Sequence, residues 1–102
     1  MTYEEQAEEL FERGSDKELK GEYSAALIEH EKAVKLQPFD IRYINAAAIL
    51  TRTLGMYEES AMYFQKKLVL INADLGKNHS LAKQVQGDLD RVIIDALKAG
   101  GK

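Results

Sequence analysis

The chain has 102 residues, of which 45% are hydrophobic and 30% are charged, and it carries a formal net charge of −3. These values suit one folded domain, and the chain is too apolar to remain disordered. The absence of cysteine excludes disulfides, thiolate metal sites and a cysteine nucleophile, and the acidic balance argues against nucleic-acid binding, which needs a concentrated basic face.

The first forty residues predict two helices joined by a glycine turn. Thr2 and Glu5 have the spacing of a capping box, which marks the start of a helix. Gly21 ends that helix, because glycine readily takes the left-handed conformation found at helix ends. Pro38 prevents the second helix from continuing. The two helices are predicted over residues 2–19 and 23–36.

The next segment repeats this plan at a distance of 34 residues. Gly21-Glu22-Tyr23 recurs as Gly55-Met56-Tyr57, and the same shift places Ala48 on Gly14. Asp40 caps a third helix that is apolar on most sides, so we expect it to be the central element. The predicted third and fourth helices cover residues 41–54 and 57–71.

The pattern changes after the fourth helix. Residues 72–79 read as a loop, and Ser80 is a plausible cap for the next helix. Apolar residues then keep one helical phase straight through Gly87, which favours one long helix over another hairpin. This last helix is predicted over 80–98, followed by a flexible tail over 99–102.

At these spacings the chain resembles the tetratricopeptide-repeat (TPR) family. Segment 7–40 has the residue types that the family places at fixed positions. They are a large apolar residue (Leu10), small residues (Gly14, Ala26 and Ala33), a turn glycine (Gly21), an aromatic residue (Tyr23) and a closing proline (Pro38). Segment 41–74 is a more divergent copy, with Lys67 where a small residue is usual and Asn72 where proline is usual. The resemblance implies an all-α, right-handed α-solenoid of two antiparallel helical hairpins plus a capping helix, within a single domain over residues 1–98.

The sequence offers no convergent set of catalytic or metal-binding side chains. His30 corresponds to Phe64 of the second repeat, so we expect a packing residue, and His79 lies beside a helix start. Neither histidine has a second one at helical spacing, and no glycine-rich phosphate loop is present. We therefore predict that the protein is not an enzyme and uses no metal or cofactor.

The resemblance implies a concave groove lined by the first helix of each hairpin and by the capping helix. The groove positions are Glu8, Phe11, Ser15, Arg42, Asn45, Ile49, Arg52 and Lys83. Arg42 and Arg52 suggest recognition of a carboxylate, because a guanidinium binds this group in a bidentate fashion. For Phe11 and Ile49, a place in the core remains an equal alternative.

Charge is unevenly distributed along the chain. Residues 1–40 hold eleven acidic and five basic residues, whereas 41–102 hold six and nine. This asymmetry fits either scattered solvated faces or a groove with an acidic and a basic end, which would orient a charged peptide.

The predicted function is a protein–protein interaction module, an adaptor or scaffold that holds a peptide or partner segment. One TPR subgroup clamps acidic chaperone tails with Lys and Asn, but these positions fall on Phe11, Ser15 and Ala46, so a co-chaperone clamp is mostly missing. The alternative is a homo-oligomer that assembles through its end faces, since two repeats are few for stability. We expect no nucleic acid and no membrane as partner, and a cytoplasmic location.

Overall fold

The computed structural model describes residues 1–100, which form five α-helices and no strand. Each helix packs extensively only on its neighbours in the chain, so the helices form two antiparallel hairpins followed by a capping helix. This architecture confirms the predicted fold class. The helices are α1 (Tyr3–Leu19), α2 (Tyr23–Leu36), α3 (Ile41–Thr53), α4 (Tyr57–Leu75) and α5 (Ser80–Gly100).

The turns within the two hairpins are built alike. Gly21 donates its N–H to the carbonyl of Glu18 at 2.9 Å, and Gly55, 34 residues later, donates to Arg52 at 3.0 Å. Both glycines have φ of 77°, a left-handed conformation that other residues rarely adopt. The 34-residue repeat in the sequence is therefore also a repeat in backbone geometry.

Small residues let the helices of each hairpin approach closely. Gly14 is buried on α1, and a Cβ at this position would lie only 2.7 Å from the ring of His30 on α2. In the second hairpin, the hydroxyl of Ser60 donates to the carbonyl of Ala48 at 2.7 Å. His30 has no exposed surface, so it is a packing residue between the first two helices.

The later elements differ from the prediction at three points. α4 continues to Leu75, one turn beyond residue 71, because Asn72 stands where a proline would have stopped it; Gly76, with φ of 86°, ends it instead. The nitrogen Nδ1 of His79, and not Ser80, accepts the N–H of Leu81 at the start of α5. Ala99 and Gly100 are helical, contrary to the predicted tail, and residues 101–102 lie outside the described residues.

The capping helix closes the core at its C-terminal end. One stripe of α5 is buried against the second hairpin, where it covers Phe64, Leu68 and Ile71 of α4. The stripe consists of Ala82, Val85, Leu89 and Val92. Because this spacing matches the helical repeat, Gly87 is accommodated within a continuous helix.

Candidate peptide-binding surface

A polar cluster joins α1 to the start of α3. Arg42 contacts Glu8 at 3.3 Å and its own N-cap residue Asp40 at 3.0 Å. The hydroxyl of Tyr43 donates to Glu8 at 2.9 Å, and the guanidinium of Arg42 lies 5.0 Å from the centre of the Tyr43 ring. Two predicted groove residues, Glu8 and Arg42, are thus brought together, and each already has a partner within the chain.

Proton affinities in this cluster follow from its contacts. The hydrogen bond from Arg42 lowers the pKa of Asp40, and the same bond raises the pKa of Arg42. Burial, together with the hydrogen bond to Glu8, raises the pKa of Tyr43 to about 12. At neutral pH Asp40 is therefore a carboxylate beside the Arg42 guanidinium, and Tyr43 remains a neutral phenol.

Asp40 positions Arg42 by capping α3. Its side chain accepts the N–H of Arg42 at 3.0 Å, so Asp40→Ala should lower the free energy of unfolding by about 1 kcal/mol. Asp40→Asn keeps a cap oxygen and should lose less. The carboxyl pKa is lowered from 3.8 in the folded state, so the contribution of its charge is present above that value and is lost as pH falls through the lowered pKa.

Thermal melts of the two variants and the natural chain during acid titration check this prediction. Asp40→Asn should show a smaller loss of stability on acidification than the natural chain. Parallel acid profiles for all three proteins would contradict it.

Phe11 belongs to the core more than to the surface. Its ring lies 5.4 Å from that of His30 and 5.3 Å from that of Tyr43, measured between ring centres. These tilted contacts stabilise the junction of the first three helices. Ser15, one turn further along α1, is half-buried.

A depression of about 360 Å³ lies where α3, α4 and α5 meet. Its lining includes the predicted groove residues Arg42 and Asn45, together with Lys67, which the sequence analysis had not placed in the groove. The remaining lining residues are Ile41, Ile71, Asp74, Leu75 and Leu81. An apolar hollow with a guanidinium at one wall and an ammonium at another has the composition of a ligand site.

Lys67 is the most unusual side chain of this depression. Its ammonium donates to Oδ1 of Asn45 at 2.7 Å, and desolvation lowers its pKa, against the opposing charge of Asp88. An ammonium carries three donor hydrogens, and this bond uses one of them. The ammonium points into the groove between α3 and α5.

The other end of the same groove is closed by an ion pair. Arg52 of α3 contacts Asp95 of α5 at 3.3 Å, with both side chains about one third exposed. Ile49, one turn before Arg52, has 51% of its surface exposed, so it lies on the surface and not in the core. Its helical spacing from Arg42 and Arg52 puts the three residues on one side of α3. The groove therefore runs from the hollow at Arg42 past Ile49 to this ion pair.

Lys83 lies apart from the other predicted groove residues. It lines a separate depression with Leu68 and Asn72, whereas Leu81, two residues earlier, lines the hollow beside Arg42. Two residues correspond to a rotation of about 200° around a helix, so the two side chains project from opposite sides of α5. Lys83 therefore does not line the hollow beside Arg42.

Sequence reasoning missed the carboxylates that α5 contributes to the groove. Asp88 faces Lys67 and Asp95 pairs with Arg52. Leu81, Asp88 and Asp95 follow one another at intervals of seven residues, which is the spacing of a single helix face. This interval was the available signal, and it shows which side of α5 lines the groove.

Two further properties concern residues 1–100. Nowhere in this range do three His, Asp or Glu side chains come together as metal ligands. Nor does any helix in it combine the length and the hydropathy required to cross a bilayer. Compared with known proteins, the chain matches no protein-family model and no curated protein.

Proposed function

We propose that this chain is a TPR-like protein–protein interaction module, an adaptor or scaffold, that holds a segment of a partner in the groove between α3 and α5. The observation that carries the proposal is the apolar hollow bordered by Arg42, Asn45 and Lys67. An apolar side chain of the partner would fill the hollow. A polar acceptor of the same segment would bind the remaining hydrogens of the Lys67 ammonium.

The donors of the groove favour a segment that carries both an apolar side chain and a hydrogen-bond acceptor, such as a backbone carbonyl, nearby. Arg42 is 58% exposed, so it can reach a ligand while its contacts to Asp40 and Glu8 keep it oriented. A partly desolvated ammonium gains more from a new acceptor than one in water, because the surrounding dielectric is lower. Lys67 is therefore the residue on which affinity should depend most.

The test is selection of binders from a random peptide display library. Peptides enriched on the natural chain should bind Lys67→Met roughly tenfold to a hundredfold more weakly, since a hydrogen bond to a charged group contributes about 1.5–3 kcal/mol. The paired change Arg42→Ala and Arg52→Ala should also weaken binding, and rising salt should reduce the difference. Lys35→Ala, which changes an exposed lysine on α2, should bind like the natural chain.

The same variants separate binding from folding. Because Arg42 and Arg52 lie in ion pairs that solvent reaches, their loss should change the melting temperature little. Lys67→Met removes a desolvated charge and should leave the melting temperature unchanged or raise it. Unfolding of the double variant would make the arginines structural residues only, and undiminished peptide binding by Lys67→Met would refute the proposed site.

A further inference from the structure

A second apolar surface lies between α4 and α5. Met62 is 73% exposed and Leu97 is 69% exposed. Two adjoining depressions of about 590 Å³ and 500 Å³ share Ala61 and Ile93 as lining residues. We call Ala61, Met62, Ile93, Ala96 and Leu97 the α4–α5 surface. It lies on the opposite flank of the buried α5 stripe from Leu81, and so away from the groove proposed for peptides.

The repeat explains why this surface is hollow. Ala61 occupies the position that Leu27 occupies 34 residues earlier, and Leu27 is buried with Leu50 and Leu54 between α2 and α3. In the second hairpin the side chain is only a methyl group, so the equivalent space stays open and Ile93 remains exposed. A side chain from outside the chain has room where the first hairpin uses its own leucine.

The occupant is indicated by the charges around Met62. Glu58 and Lys66 each line one of the two depressions, and they lie four residues before and four residues after Met62 on α4. Such residues share one face of a helix. If two copies meet antiparallel across a two-fold axis at Met62, Glu58 of each copy faces Lys66 of the other. The surface is therefore complementary to itself, as an isologous interface requires.

We propose that the chain forms a two-fold symmetric dimer through the α4–α5 surface, with Met62 of each copy entering the depression beside Ala61 of the other. The unbranched thioether of methionine adapts well to such a hollow. The opposite end of the molecule does not offer a comparable face, because the outer side of α1 carries Glu4, Glu5, Glu9 and Glu12. Pairing at one end only gives a closed dimer and not a filament.

Sedimentation equilibrium over a range of protein concentrations tests the dimer. The natural chain should associate reversibly to a species of twice its mass. Glu58→Lys and Lys66→Glu should each weaken dimerisation roughly tenfold, because each places like charges together at two symmetric contacts. The double variant restores opposite charges with their positions exchanged, and it should dimerise like the natural chain.

Two further variants probe the apolar part of the interface. Met62→Glu should abolish the dimer, and Ala61→Leu should do the same by filling the depression from within; both should keep the helical circular dichroism spectrum. Ile28→Glu is the matched control, since Ile28 is the exposed residue of α2 34 positions before Met62, and it should leave association unchanged. A chain that stays monomeric at all concentrations, or a double charge variant that fails to recover, would overturn the proposal.

Discussion

Deletion of residues 80–102 is expected to abolish cooperative melting or to cause aggregation. The deletion removes α5 and exposes Phe64, Leu68 and Ile71, which α5 covers in the intact chain. Returning each large apolar side chain to water lowers the free energy of unfolding by about 1.5–3 kcal/mol. The whole free energy of unfolding of a domain is only about 5–15 kcal/mol. Melting curves and light scattering of the truncated and intact chains measure the effect.

A single substitution tests the same contact without truncation. Val92 is fully buried on α5, so Val92→Asp places an unpaired carboxylate among apolar side chains and should destabilise the fold severely. Ile94→Asp is its control, because Ile94 lies two residues away on the exposed side of α5. A truncated chain that melts cooperatively at an unchanged midpoint would show that α5 is an appendage and not part of the core.

Gly14→Ala is expected to destabilise the protein even though alanine favours helix by about 1 kcal/mol over glycine. The added Cβ would lie 2.7 Å from the His30 ring, and this ring has no free space to move into, since it is fully buried. Overpacking of this kind costs about 1–3 kcal/mol. The free energy of unfolding in urea should therefore fall despite the better helix former.

Two comparisons isolate the cause. Gly87→Ala places the same methyl group in the middle of α5, where a Cβ meets nothing within 4 Å, and it should stabilise the protein by up to about 1 kcal/mol. Adding His30→Ala to Gly14→Ala should cost less than the sum of the two single changes, because the truncated side chain leaves room for the methyl. Additive effects would mean that the two residues do not oppose each other.

Much of the fold was predictable because its signals are local. Capping residues, the turn glycines and the 34-residue period depend on neighbouring residues, so the limits of α1 and α2 agree with prediction within one residue. The end of α4 was misjudged because the family pattern expects proline at Asn72. Without it, the helix continues until Gly76 adopts a positive φ.

The candidate site was less predictable because it depends on which way each helix is turned about its axis. Arg42, Asn45 and Ile49 lie on one face of α3, and their placement follows from helical spacing alone. Whether the side chains of Lys67 and Lys83 face the groove depends on how α5 packs against the second hairpin. A single sequence does not specify that orientation. The sequence already shows that Lys67 stands where the repeat pattern has a small residue. The hydrogen bond from Lys67 to Asn45 arises only in the packed structure.

The packing of each helix on its neighbours in the chain also bears on how the protein folds. Contacts between residues close in sequence require little loop closure, so such a topology has low contact order and is expected to fold fast. The two hairpins meet mainly at the boundary between α2 and α3, with further contacts from Glu8 and Phe11 of α1 to Tyr43 of α3. An opening that begins in α1 breaks those contacts but leaves the packing of α4 on α3 and α5 in place. The proposed groove and the proposed dimer surface both lie within that remaining core. Fraying of the first hairpin therefore leaves the dimer surface unchanged, whereas in the groove it removes the Glu8 contact that helps to orient Arg42.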